Sequence, residues 1–286
     1  MRFVLPFFNS VRNSPVRHVL SSSLGIAGLS IFSAILLLSL LAPFLPLPDP
    51  LHVDLHHRFL SPLSPDHILG TDQLGRDLLS RVSYGGRTTL AIALFATAFG
   101  MIVGTSLGMI AGFFGGITEA IIMRLVDIEL SIPMMLLALL IIAVLGPNMG
   151  NLVLVLGLTA WVRVARMVRA ETLVLRRREF VAAAYVMGVS RTRVLVRHLL
   201  PNVLPTVLTV ATLEMSRLVL LEVSLSFLGL GVQPPNPAWG RMLAESRSYL
   251  GASPWLIVVP GIAVLLTVLS INLMSDSVRR SLQTLT

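Results

Sequence analysis

A few charged side chains stand inside runs that are otherwise apolar. Glu214, Arg217 and Glu222 fall within the stretch 202–231, and Asp127 follows Arg124 by three residues. A charge at the centre of a bilayer costs roughly 2.5–3.5 kcal/mol on insertion scales, so it normally faces protein or a water-filled cavity. Spacing of three lets Glu214 meet Arg217, and Arg124 meet Asp127, on one helix face. Paired in that way the charges are structural; unpaired, they would face a wet lumen. Glu214, Arg217 and Glu222 are the stronger candidates for a translocation path, because they fall well inside their apolar run. Asp127 is the weaker one, since with Arg124 it also fits a structural pair or the end of a span.

Other chemistries are bounded by what the chain lacks. All 22 basic residues are arginine and there is no cysteine. Without lysine there is no phosphate-binding P-loop and no Schiff base; without cysteine there is no disulfide, thiol catalysis or thiolate metal site. No HExxH and no helically spaced aspartate pair occurs, so no catalytic residue is expected. His52, His56, His57 and His67 gather with Asp54 and Asp66 in one polar segment. No tight ligand spacing repeats there, and the expectation is a solvated proline-rich segment, not a metal site.

The elements that must position these residues are membrane spans. Charged residues make up 13% of the chain, against about 25% in soluble domains, and the mean hydropathy is +0.84. The net charge of +8 then reads as arginine gathered on one side of a membrane, with no nucleic-acid partner expected. Residues 24–45 form an uncharged run of 22, and about 20 residues cross a bilayer core. The run is too long for a cleaved signal and reads as an anchor helix. Residues 46–87 are polar and proline-rich. The stretch 88–118 is uncharged and carries Gly100, Gly104, Gly108 and Gly112, whose spacing of four puts them on one face where another helix can approach closely. A third span must extend 130–145 back through Arg124, Asp127 and Glu129. After the turn signal "GPNMGN" at 146–151, a fourth runs over 152–162 into Arg163, Arg166 and Arg169, which are expected to snorkel to headgroups. The fifth covers about 202–231 and the sixth about 254–274. Between them, "NPAWGRMLAESRSYL" suits either the outer headgroups, through Trp239 and Tyr249, or a partner protein.

With both termini inside, fifteen arginines fall on the inner side and six on the outer, the orientation the positive-inside rule favours. The segment 171–201 is then cytoplasmic. It begins as a helix over 171–187 with alanines at 182–184, bends at Gly188, and continues as a second helix over 190–200 that ends at Pro201.

"REFVAAAYVMGVSRTRVLVRHLLPN", residues 178–202, resembles the EAA loop of permease subunits of bacterial ABC importers: E-A-A, three residues, Gly, nine residues, I-x-L-P. Ala183, Ala184, Gly188, Leu200 and Pro201 match; Ala182 and His198 replace that pattern's glutamate and isoleucine. The peptide-permease branch carries a shifted form, REFVxAAxxxGxxxxxIxxxHxLPN, which Arg178, Glu179, Phe180, His198 and Asn202 also match. "LGTDQLGRDLLSRVSYGGRTTL" (69–90), "RLVDIELSIPMMLLAL" (124–139) and "SLSFLGLGVQPPNPAWGRML" (224–243) are similar to the same branch, the second permease subunit of dipeptide, oligopeptide and nickel importers. The C-terminal end departs from that branch's NLxGDxLRDxLDP.

What the resemblance implies is an all-α polytopic membrane protein of the type I ABC importer permease fold, with six transmembrane helices. Residues 1–87 form a tail, anchor and outer segment, 88–276 the transport core, and 277–286 a cytoplasmic tail. The coupling loop would present Glu179, Ala183, Ala184, Gly188, Arg191, His198 and Pro201 to an ATPase. Ala183 and Ala184 would permit close docking, and Gly188 the bend. Implied partners are a homologous permease subunit, two ATP-binding subunits and an extracytoplasmic substrate-binding protein, besides membrane lipid. No cofactor is expected on this chain; ATP and Mg belong to the partners. The implied cargo is dipeptides or oligopeptides, with nickel or glutathione as the alternative, and the implied place is the bacterial inner membrane. A secondary transporter driven by an ion gradient also fits the hydropathy, but it leaves the EAA-like loop unexplained.

Overall fold

The computed structural model describes residues 22–283, and side chains as far as Arg279. The tail 1–20, expected to lie in water, falls outside the described residues. Among those described there is no strand, only two isolated bridges in the outer segment. The helices are α1 (Ser23–Leu41), α2 (Leu78–Phe114), α3 (Gly116–Ser131), α4 (Met134–Leu145), α5 (Met149–Arg176), α6 (Glu179–Val186), α7 (Arg191–Val194), α8 (Leu200–Phe227), α9 (Trp239–Ser246) and α10 (Trp255–Gln283). Five are long and apolar enough to cross a membrane. The pair α3 and α4, bent by 92°, supplies a sixth if counted as one broken span. The expected boundary at 87/88 falls inside α2.

Local chemistry explains most of the ends. Ser22 accepts from the Gly25 amide at the start of α1, and Asp77 from the Ser80 amide at the start of α2, as N-caps do. Asn148 caps α5 through the Asn151 amide (2.9 Å), and the Asn151 side chain returns to the carbonyls of Leu145 and Gly146. This is how "GPNMGN" joins α4 to α5. The third span is not the single helix expected. Pro133 fixes its own φ and biases Ile132 out of the helical region; Ile132 sits at ψ 128, and α3 stops there.

Two compact units divide the chain, one comprising the residues up to Ala91 and from Met215 on, the other Ile92–Glu214. In the first, α1 lies on α10 so closely that a Cβ on Gly28 would meet the Ser270 carbonyl at 2.7 Å. Its apolar core joins Leu78, Val82 and Leu90 of α2 to Trp239, Met242, Leu256 and Val264, with Phe32 and Ile35 of α1 packed on them. Trp239 is not an interfacial anchor. It is 1% exposed, and its indole N–H donates to the Val82 carbonyl (2.9 Å).

In the second unit the glycine face of α2 is a contact with α5. Cβ atoms on Gly100, Gly104, Gly108 and Gly112 would lie 2.5–2.8 Å from Ala160, Trp161, Ala165 and Arg169 in turn. No side chain fits between these backbones, so the period of four is a close-packing code. The helix α5 has 28 residues and so runs roughly 42 Å at 1.5 Å per residue. A bilayer core is about 30 Å thick, so α5 carries its last turns out of the hydrocarbon.

Candidate functional site

The segment from Arg177 to Leu200 is folded, and its start is pinned. Arg176 donates to the Phe113 carbonyl (2.8 Å) at the end of α2, satisfying an acceptor that a helix terminus leaves open. In α6, Val181 and Ala184 are buried with Val194, Leu199, Met101, Phe113 and Val168 in one core. The other face is open: Ala182 and Ala183 are exposed, as are Phe180 and Tyr185, and Val186 and Met187 are 88% and 73% exposed. The two alanines expected to act alike therefore differ, Ala183 facing out and Ala184 packing inward.

The bend falls where it was expected, at Gly188. Its amide donates to the Tyr185 carbonyl and that of Val189 to the Ala184 carbonyl, both at 3.0 Å. This is the Schellman arrangement, which needs a left-handed residue, and Gly188 has φ +75. Nothing lies within 4 Å of its Cβ position, so backbone conformation alone selects glycine here. The result is a rigid reversal with Tyr185, Val186 and Met187 at its tip.

Two expectations about this segment fail. The helix foreseen over 171–187 is two, because 171–176 belongs to α5 and a turn at 177–178 intervenes. The helix foreseen to end at Pro201 instead runs on to Phe227. The turn Leu195–Leu199 is wound as a π-helix, with Leu200 donating to the Leu195 carbonyl. Pro201 has no N–H for the Arg197 carbonyl and its ring crowds that group, which a wider turn relieves. The Asn202 side chain donates to the His198 carbonyl (2.6 Å), replacing part of what is lost. Glu179 stands in the first turn of α6 and Arg191 in that of α7, both exposed; His198 and Pro201 are half-buried.

The intramembrane charges separate into different roles. Asp127 accepts from Arg166 (2.6 Å) and Glu119 from Arg169 (2.6 Å), so Arg124 is not Asp127's partner, and two of the three arginines expected to snorkel are tied to α3. Glu129 accepts from the Trp161 indole (2.9 Å). These three contacts form a polar ladder between α3 and α5, missed because the partners lie far apart in sequence. Glu222 is wholly buried and accepts from the Ser226 hydroxyl (2.6 Å). Glu214 is buried and Arg217 half-buried.

The stretch 69–81 owes its charged pattern to a second cluster, in the first unit. Asp72 accepts from the amides of Leu74 and Arg76, from Arg76 Nε (2.7 Å) and from Arg81. Glu245 of α9 accepts from Arg76 (3.1 Å), Arg81 (2.9 Å) and Arg241 (3.0 Å). Burial pushes the Glu245 carboxyl up, but Arg81, Arg241 and Arg76 outweigh it and hold it below the ordinary glutamate value. Nearby, the proline-rich histidine segment is held by turns, with His57 on Asp54 (2.7 Å) and His67 on Asp77 (2.9 Å). Among the described residues no group of three or more His, Asp or Glu side chains could hold a metal ion.

Long apolar helices, one of them broken, and a folded loop between α5 and α8 define a multi-pass membrane transport subunit. The chain belongs to the binding-protein-dependent transport system inner membrane component family, whose model matches residues 104–284. Dipeptide transport system permease protein DppC of Alkalihalophilus pseudofirmus is 36% identical over 266 residues, covering 93% of this chain and 87% of that protein. Di/tripeptide transport system permease protein DppC of Pseudomonas aeruginosa is 42% identical over 215 residues, 75% of this chain and 71% of that one. Glutathione transport system permease protein GsiD of Pectobacterium atrosepticum is 39% identical over 219 residues, covering 77% and 73%. A chain of the MetNI methionine ABC transporter, solved in inward-facing conformations, shares the fold with a TM-score of 0.57 at 21% identity, over 70% of this chain and 95% of its own. The all-α polytopic fold of an ABC importer permease is thus the fold found.

Proposed function

We propose that this chain forms part of the path by which dipeptides or oligopeptides cross the bacterial inner membrane, and that separate ATPase subunits drive it. The observation that carries the reading is the match over most of the chain to permeases of peptide systems at 36–42% identity. The complex would hold a homologous permease, two ATP-binding subunits and an extracytoplasmic binding protein. ATP and Mg reside on the ATP-binding subunits, and this chain performs no covalent chemistry.

The loop around Gly188 is the part an ATPase would grip. An apolar tip made of Tyr185, Val186 and Met187 is costly to leave in water and is relieved by burial in a partner's cleft. Exposed Ala182 and Ala183 let a foreign backbone approach, while Ala184 and Val181 tie the tip to the core shared by α2, α5 and α8. A push on the tip is therefore delivered to those helices, and alternating access follows as a shift between two arrangements of the spans. The excess of arginine on one side favours a cytoplasmic position for this loop and both termini. Glutathione is the second cargo reading, favoured by the likeness to the glutathione permease.

Reconstitution of the whole complex in vesicles tests the proposal. Labelled dipeptide should accumulate with ATP and not with an ion gradient alone. Uptake that follows an ion gradient without ATP contradicts it.

A further inference from the structure

The row Arg163, Arg166, Arg169 lies on one flank of α5, and its members are treated unequally. Arg166 and Arg169 each hold an acid of α3. Arg163 makes no ion pair among the described residues. Its neighbour in the ladder is Glu129, but that carboxylate is drawn to the Trp161 indole instead. Glu129 is half-buried and Arg163 exposed, and between them lies a half-open pocket of about 200 Å³ at the break between α3 and α4, walled by Ile132, Pro133, Leu137, Thr159 and Val162. An acid and a base that line one pocket among membrane helices without pairing with each other mark the course of a polar solute. Broken membrane helices are also where transporters place polar ligands.

We propose that this cavity is a cargo subsite for a short zwitterionic peptide, with Glu129 receiving the ammonium group and Arg163 the carboxylate. The assignment rests on the peptide reading above and sharpens it. Ligand sites for drug-sized molecules are about 300–1,000 Å³, so this smaller space suits a dipeptide rather than a long chain. The Trp161 indole keeps Glu129 from collapsing onto Arg163 and thereby keeps the two charges apart.

The test is equilibrium binding of radiolabelled Ala-Ala to the complete transporter in nanodiscs, without the binding protein. Saturable binding is expected, at least tenfold weaker for N-acetyl-Ala-Ala and for Ala-Ala amide. Glu129→Gln should abolish discrimination against the acetylated probe only, and Arg163→Gln discrimination against the amide only. Glu129→Asp should keep both, as should Ser106→Ala on the exposed side of α2. If a Gln variant fails to assemble, the charge-keeping variants Glu129→Asp and Arg163→Lys decide: retained discrimination supports the proposal and its loss sinks it. Non-saturable binding to the wild type, or Gln variants that still discriminate, overturns the subsite. ATP-driven uptake of Ala-Ala by the wild type keeps the two failures apart: uptake with unaltered variants removes the subsite alone, whereas no uptake removes the peptide reading.

Discussion

Two sets of ion pairs brace this chain, and they are built in opposite ways. In the first unit, Asp72 and Arg81 have side chains 1% and 3% exposed, and each acid serves two or more arginines. In the second, Arg166 and Asp127 have side chains 53% and 60% exposed and form a single pair. A buried network cannot lose one member without stranding its partners in a low dielectric. An exposed single pair contributes little to stability. The contrast separates a buried network, beneath the outer segment, from a seam between α3 and α5 held by single pairs.

Removing one charge from each set should expose that difference. Asp72→Ala leaves Arg76 and Arg81 buried without their shared acid and should cost about 3–5 kcal/mol, read as a large fall in the thermal unfolding temperature of the purified chain in detergent. A change as small as that of a surface variant would erase the distinction between the two regions.

Acid should reach the first set through Glu245. Its folded-state pKa lies below the ordinary value of 4.5, so its contribution is fully present above that value and is lost as pH falls through the depressed one. Unfolding followed between pH 6 and pH 3 should show a loss of stability toward the acid end that is smaller in Glu245→Gln. An unchanged pH profile in that variant would remove Glu245 as an acid-sensitive member of the brace.

The smallest effect belongs to the seam. Asp127→Asn should cost less than about 1 kcal/mol, and the difference from wild type should shrink further as salt rises. A cost matching that of Asp72→Ala would make the α3–α5 ladder a fixed strut instead.

What could be read beforehand followed local periodicity. The glycines at 100–112 declared a close helix contact because four residues only slightly overrun one turn, and the bend at Gly188 was visible because one residue type serves it. The ends of charged networks were not visible: Glu245 is 164 residues from Arg81, and Asp127 is 39 from Arg166, separations at which no pattern within a helix applies. The broken third span had a signal in Ile132-Pro133, which the count of apolar residues overrode. Proline at 201 misled in the other direction, because a π-turn and an Asn202 hydrogen bond absorb it. Alanines 183 and 184 looked equivalent until packing turned one inward. Met187 and Val186 attracted no notice, being two apolar residues in a chain full of them; only their exposure makes them distinctive.

The proposed coupling requires the tip of the α6 loop to be covered by an ATP-hydrolysing partner. Because the chain contains no cysteine, a Met187→Cys variant carries a single thiol whose maleimide labelling reports that tip alone. In open membrane fragments the rate should fall at least tenfold when the ATPase subunits are assembled on the chain, while a Leu63→Cys variant in the outer segment labels at the same rate with or without them. Equal labelling at position 187 in both states would contradict the account.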